Sequence, residues 1–264
     1  MNFRSFRPLL ISTALSCLVP APAAHAAETA APASEIKPAA ASDKAEAELT
    51  KTAASWVEGL ALNDASKAER VQALIVQHLR AVRDWHNQHP YTGVPAGINP
   101  ATGQPLSVQD RQIIADSAMP RTVHDTLMTG LRAQLTPEQV EAVLDKYTIG
   151  KVAFTLQGYK AIVPDLTPQE EAHILGLLRQ AREQAIDYKG MKLVSAIFEI
   201  YKTQCEQYLN SNGRNWKQLY RAYTDAAKAR KAAAKAAGTP SPVPGPAAVP
   251  APGEGVVPAP KPAN

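Results

Sequence analysis

The sequence predicts an all-α protein, with a single bundle-like domain of many helices between residues 45 and 237. Three observations lead to this fold class. Hydrophobic residues recur at helical spacing over most of that range, two segments carry the capping pattern that begins a helix, and no convincing pair of strands is present. A chain of 264 residues, 45% of them hydrophobic, can bury the core of one ordinary domain or two small ones.

The first 26 residues predict a secretory signal peptide. Arg4 and Arg7 precede an apolar run over residues 9–19, and the small-residue sequence Ala24-His-Ala26 follows as a cleavage site. Cys17 leaves a lipid anchor as the less favoured alternative, because the three residues before it match the usual lipidation pattern poorly. We therefore expect cleavage after Ala26 and a periplasmic or secreted protein.

Two further segments predict disorder. Residues 27–44 are mostly Ala, Pro, Ser, Lys and Glu, which bury too little apolar surface to offset the entropy of ordering. Residues 238–264 form a Pro/Ala-rich tail, with nine prolines in the last 26 positions, a composition typical of an extended spacer. We expect a disordered leader and a disordered tail on either side of the helical domain.

The clearest helix is predicted from Asp64 towards His89, where Pro90 ends it. Its apolar face recurs at helical spacing over seven positions, namely Val71, Leu74, Ile75, His78, Leu79, Val82 and Trp85.

Two later helices are predicted to begin with related sequences, Leu-Thr-Pro-Glu-Gln at residues 135–139 and Leu-Thr-Pro-Gln-Glu at 166–170. In each, Thr is placed as the N-cap, Pro as the first helical residue and Gln or Glu as the third, which is a capping box. Leu135 and Val140 additionally occupy the positions of a hydrophobic staple.

The remaining helices follow from apolar spacing over residues 174–185 and 194–208, with Gly190 between them, and over a last segment that begins near Trp216. Residues 149–163 are ambiguous, because Val152, Phe154 and Leu156 alternate as in a strand. No partner strand exists, so we predict a helix there.

Composition excludes several classes of function. With 20% charged residues and no apolar stretch of membrane-spanning length, no transmembrane segment is expected. Loss of Arg4 and Arg7 with the signal lowers the formal charge from +4 to +2, which gives nucleic-acid binding little support. Only Cys205 then remains, so no intramolecular disulfide can form.

The candidate binding site is the proline- and glycine-rich connection that begins at Trp85. A sugar presents a C–H face that lies on an aromatic ring and hydroxyls that need both donors and acceptors. This stretch offers both kinds of group within seven residues, and the sequence predicts an oligosaccharide site there. A loop that merely wraps the bundle is the competing interpretation. The proposed ligand-binding residues are Trp85, His86, Asn87, His89 and Tyr91.

No cofactor, metal or catalytic residue is predicted. A metal site at His78, His86 and His89 is considered and disfavoured, because no His-Glu-x-x-His sequence or cysteine pair accompanies them. No nucleophile elbow, phosphate-binding loop or dinucleotide fingerprint is present. Seven carboxylates are candidate acids or bases, with no pair defined by sequence, namely Asp116, Asp145, Asp165, Glu170, Glu183, Asp187 and Glu199.

Several short stretches resemble a family of uncharacterised secreted bacterial proteins, catalogued as a domain of unknown function to which sugar binding is ascribed. The resemblance covers about residues 47–225 and implies a role near the extracytoplasmic breakdown or uptake of plant-type polysaccharides. It carries over no site residue. The stretches are Leu62-Asn-Asp, Arg70-Val, Trp85-His-Asn-Gln-His, Ile162-Val-Pro-Asp-Leu-Thr, Ala181-Arg-Glu-Gln-Ala-Ile-Asp and Ile197-Phe with Tyr201 and Tyr208-Leu.

Three functions remain in competition. The favoured one is a non-catalytic carbohydrate-binding protein associated with polysaccharide utilisation. The second is a periplasmic chaperone-like helical protein, because residues 135–139 match the Leu-Thr-x-x-Gln motif of small envelope-stress chaperones. The third is an enzyme that acts on polysaccharide through one of the carboxylates.

Overall fold

The computed structural model describes residues 39–100 and 102–236, and the predicted all-α class is confirmed there. Nine α-helices account for the secondary structure of these residues, together with one short 3-10 turn at Tyr91–Gly93 and an isolated antiparallel bridge between Ile98 and Pro105. The helices are α1 (Ala39–Glu58), α2 (Ala65–Gln88), α3 (Val108–Ser117), α4 (Arg121–Gln134), α5 (Pro137–Thr148), α6 (Lys151–Ile162), α7 (Pro168–Ala185), α8 (Met191–Ser211) and α9 (Trp216–Ala236).

Local capping chemistry fixes several of the helix starts. Asp64 caps α2 by accepting a hydrogen bond from the Lys67 amide, and both predicted capping boxes form, at Thr136 for α5 and Thr167 for α7. A third box, which the sequence analysis did not identify, begins α3 at Ser107. Each satisfies amide donors that have no partner within the helix.

The ambiguous segment is helical, as predicted, because α6 spans most of it. A tight turn separates α5 from α6, in which Ile149 and Gly150 both adopt positive φ angles of 48° and 69°. Glycine takes this left-handed conformation readily, whereas a β-branched residue does so with strain.

Two clusters of buried side chains form the core. One is built by α1, α2, α4 and α5 and includes Val71 and Leu131; the other is built by α6 to α9 and includes Tyr159 and Trp216. Ile186 belongs to the first cluster and Tyr188 to the second. The short connection from α7 to α8 therefore lies where the two clusters meet, and it places Asp187 between them.

The structure describes only part of the predicted leader and none of the predicted signal peptide. Helix α1 begins at Ala39 and so includes the last part of the segment predicted as a disordered leader. The predicted signal peptide, the rest of the leader and the tail at 238–264 lie outside the described residues. Of the helices in the described part of the chain, none combines the length and apolarity required to cross a membrane.

Candidate functional site

A cleft of about 560 Å³ opens between the end of α3, the start of α4, the last turns of α7 and the face of α8. Its walls combine tyrosine rings with amide, imidazole and carboxylate groups. The lining residues are Asp116, Ser117, Met119, Pro120, Arg121, His124, Gln180, Glu183, Gln184, Asp187, Tyr188 and Tyr201.

One carboxylate in the wall accepts hydrogen bonds from two histidines. His78 Nε2 donates to Asp187 Oδ1 at 3.0 Å, and His124 Nδ1 donates to Asp187 Oδ2 at 2.9 Å. His78 is buried in α2 with its ring edge against Tyr147, whereas His124 lines the cleft. The carboxylate is therefore held on both oxygens, which fixes the orientation of the His124 ring.

These contacts shift two pKa values. The hydrogen bond to Asp187 raises the pKa of His124 against the opposing effect of burial. Burial acts to raise the pKa of Asp187, but the hydrogen bonds from His124 and His78 outweigh it, so that this pKa lies below its ordinary value. Each partner thus favours the charged form of the other, the imidazolium of His124 and the carboxylate of Asp187.

A second histidine–carboxylate pair stands at the other side of the cleft. His86 Nδ1 donates to Asp116 Oδ2 at 2.9 Å, and the buried Gln112 donates to Asp116 Oδ1 at 2.9 Å. Only 2% of the Asp116 side chain is exposed, so these bonds compensate its desolvation. Both carboxylates also act on Tyr188: burial, and then the charges of Asp116 and Asp187, raise its pKa against the opposing effect of a hydrogen bond with Gln184.

The five residues predicted to bind sugar lie together where α2 passes into α3, but their groups serve local contacts. The Trp85 Nε1–H donates to the Ala115 carbonyl at 3.2 Å, and the Trp85 ring stacks on His89 with centroids 3.6 Å apart. Tyr91 lies under the Arg111 guanidinium.

The other two predicted residues also have partners. Asn87 Oδ1 accepts a hydrogen bond from Lys189 Nζ at 2.6 Å, and His86 supports Asp116. All five are described, and none of them lines the cleft. His86 reaches the cleft indirectly, through Asp116.

Of the seven candidate carboxylates, three converge on the cleft, namely Asp116, Glu183 and Asp187. The other four pair with basic residues elsewhere: Asp145 with Arg182, Asp165 and Glu170 with Arg214, and Glu199 with Lys202. The tertiary structure thus separates carboxylates that the sequence leaves equivalent.

The disfavoured metal triad is dispersed. His78 bonds to Asp187 and His86 to Asp116, while His89 Nδ1 donates to the Trp85 carbonyl at 2.9 Å. Within residues 39–100 and 102–236, no group of three or more His, Cys, Asp or Glu side chains is arranged to hold a metal ion.

The chain was compared with models of known protein families. A family model described as a protein of unknown function, DUF3826, matches residues 46–229. The chain belongs to the DUF3826 family. This match is close to the extent of about 47–225 expected from the resemblance, and the DUF3826 region contains the whole cleft. No curated protein matches the chain.

His124 could not be recognised as a site residue from the sequence, because its partner is distant in the chain. Asp187 lies 63 residues further on, beyond the last residue of α7. His78 carried a usable signal, since a histidine on an apolar helix face needs a buried hydrogen-bond partner. Nothing in the sequence identifies that partner as Asp187.

Proposed function

We propose that this DUF3826 protein binds a saccharide in the cleft between α3, α4, α7 and α8. The carrying observation is the composition of the wall, where the partly buried ring of Tyr201 lines the cleft together with the amides of Gln180 and Gln184 and the imidazole of His124. Ring faces suit the C–H surface of a sugar, and amides and imidazoles supply donors and acceptors for its hydroxyls.

The cleft thus offers the kinds of group that favoured residues 85–91, namely an aromatic ring, amides and an imidazole. At residues 85–91 most of these groups are engaged in local contacts. Trp85 contributes its ring to His89 and its N–H to Ala115, and Asn87 accepts from Lys189. We retain binding at Trp85, His86, Asn87, His89 and Tyr91 as the competing location.

The experiment compares the two locations. We expect calorimetric titration with xylan, glucan and pectic oligosaccharides to give heat with at least one of them, and Gln180→Ala and Gln184→Ala to weaken binding. Asn87→Ala and Tyr91→Ala serve as the matched set at the other location. Loss of binding only in that second set would move the site to residues 85–91. Absence of heat with every fragment would reject the function.

Catalysis on the bound saccharide is the second candidate. Asp187 orients the His124 ring and raises its pKa, and an imidazole held by a carboxylate can act as a general acid or, after losing its proton, as a general base. Release of reducing ends during the titration, lost in His124→Asn, would favour this enzyme over a non-catalytic binding protein. The chaperone alternative requires a broad apolar concavity, which this polar cleft does not supply; a groove of about 400 Å³ that includes Leu49, Trp56 and Met191 is the apolar surface on which that alternative would depend.

We also propose export to the periplasm or the medium, with cleavage after Ala26. The support is the sequence of the first 26 residues, in which two arginines precede an apolar run and a small-residue site. The mass of the mature protein purified from the periplasm tests this proposal. A protein that retains residue 1, or that carries a lipid on Cys17, would contradict it.

A further inference from the structure

At one wall of the cleft, a charged donor and a charged acceptor stand side by side. His124 Nε2 and Glu183 Oε1 form an ion pair at 3.6 Å, which is longer than a hydrogen bond, so a ligand hydroxyl can form a shorter bond to each atom than they form with one another. The same oxygen of Glu183 is 3.5 Å from Arg132 Nη2, at the limit of a hydrogen bond. The Glu183 side chain is 46% exposed, so a ligand can reach it.

The donor of this pair is held in place from behind. His124 Nδ1–H is committed to Asp187, whose second oxygen is bonded to His78, and the His78 side chain is only 1% exposed. The ring therefore has little freedom to rotate. Asp187 raises the pKa of His124, and in the imidazolium form Nε2 carries a proton and is the donor towards the cleft.

We infer that His124 and Glu183 select a sugar ring with two hydroxyls on neighbouring carbons. This inference rests on the proposed saccharide function. Hydroxyl oxygens on adjacent ring carbons lie about one hydrogen-bond length apart, which matches a donor and an acceptor this close together. The imidazolium donates to one hydroxyl oxygen, and the Glu183 carboxylate accepts from the other hydroxyl; both bonds are charge-assisted.

The charges of the lining restrict the ligand further, to a neutral sugar. Asp116, Glu183 and Asp187 line the cleft. Among the described lining residues, Arg121 is the one with a permanently charged basic side chain, and it lies 3.5 Å from Asp125. The Arg121 side chain is 86% exposed and is screened by solvent. The wall holds three carboxylates against the imidazolium of His124 and the exposed Arg121, so a uronic acid would add a carboxylate to a wall of net negative charge, and we expect it to bind more weakly than a neutral sugar.

Binding is expected to depend on pH through the same pair. The charged and titratable groups that face His124 are Asp187 and Glu183, with Arg132 beyond Glu183 and His78 beyond Asp187. When pH rises through the raised pKa of His124, Nε2 loses its proton and the diol loses its donor. Affinity should therefore fall on the alkaline side.

The test uses xylotriose and cellotriose as neutral ligands and trigalacturonate as the anionic one, titrated into the mature protein by calorimetry. We expect a neutral trisaccharide to bind at least about tenfold more tightly than trigalacturonate. Periodate oxidation followed by borohydride reduction cleaves the ring between vicinal hydroxyls, and the treated trisaccharide should lose about tenfold in affinity. Tenfold corresponds to about 1.4 kcal/mol, the scale of one hydrogen bond to a charged group.

Variants assign the effect to the pair. Glu183→Gln lies on a half-exposed surface and should fold, and we expect it to weaken binding about tenfold. Asp187→Asn removes the carboxylate that sustains the His124 charge, and it should move the alkaline loss of binding to lower pH. Glu138→Gln is the control, since this exposed carboxylate on α5 does not line the cleft, and it should bind as the native protein does.

The outcomes separate this inference from the proposed function. If no trisaccharide gives heat, saccharide binding itself fails. If a trisaccharide binds but the periodate-treated form or Glu183→Gln binds equally well, the cleft remains a saccharide site and the His124–Glu183 inference is wrong. Tighter binding of trigalacturonate would likewise overturn the selection for a neutral sugar and leave saccharide binding intact.

Discussion

His78 and Asp187 are joined by a hydrogen bond of 3.0 Å across 109 residues of sequence. The bond connects the middle of α2 to the connection between α7 and α8, and so ties the two clusters of the core together. Because the same carboxylate holds His124, a contact within the core also sets the geometry of a cleft residue.

Replacing His78 tests that connection. We expect His78→Leu to lower the free energy of unfolding by about 1.5–3 kcal/mol, because Asp187 Oδ1 loses its charged-group hydrogen bond in a largely buried place. Urea denaturation followed by circular dichroism measures the change. Gln77→Leu, at the exposed neighbouring position of α2, is the control and should change stability by less than about 0.5 kcal/mol. Equal effects of the two substitutions would contradict a special role for His78.

The ion pair between Arg214 and Glu170 predicts the response to acid. Hydrogen bonds from Arg214 lower the pKa of Glu170 to about 2. A carboxylate with a lowered pKa stabilises the native state above the pKa of the unfolded chain, and this contribution is lost as pH falls towards 2. We therefore expect thermal stability to decline between about pH 4.5 and pH 2, and the decline to be smaller in Glu170→Gln.

Asp165 provides the matched comparison for that pair. It bonds to the same Arg214 at 2.9 Å, but 79% of its side chain is exposed. Exposed ion pairs contribute about 0–1 kcal/mol, so Asp165→Asn should cost less stability at pH 7 than Glu170→Gln, which we expect to cost about 1.5–3 kcal/mol. A larger loss of stability in Asp165→Asn than in Glu170→Gln would contradict the conclusion that Arg214 contributes more through Glu170 than through Asp165.

For Glu206 we expect stability to depend on pH with the opposite sign. It is buried on α8, and burial raises its pKa to about 7. The native state then binds a proton more tightly than the unfolded chain does, so stability falls as pH rises from about 4.5 to 7. We expect Glu206→Gln to stabilise the protein by about 1–3 kcal/mol at pH 8 and by less at pH 5. Glu69→Gln, exposed on α2, should show no such pH dependence.

Ile149 predicts a stabilising substitution. It has φ 48° in the turn between α5 and α6, and 71% of it is exposed, so its side chain contributes little burial to offset the strain. The left-handed conformation costs a non-glycine residue about 1–2 kcal/mol. We expect Ile149→Gly to raise the free energy of unfolding by about 1 kcal/mol in urea titration. Ile149→Ala keeps a Cβ and should give little gain, which separates relief of strain from loss of an exposed apolar side chain.

The sequence by itself determined the elements whose signals are local. The apolar face from Val71 to Trp85 predicted α2, and the capping boxes at Thr136 and Thr167 predicted where α5 and α7 begin, because a cap and its first turn involve only neighbouring residues. The helical outcome for α6 also followed, since a lone alternating segment has no strand with which to pair.

Only the tertiary structure decided which polar groups share a site. Seven carboxylates were equivalent in the sequence, and packing of α4 against α2, with the α7–α8 connection between the two core clusters, brought His78, His124 and Asp187 together. Such pairing depends on which distant helices meet. Helix periodicity specifies the buried face of each helix but not its neighbour, so the cleft could not be read from the local pattern.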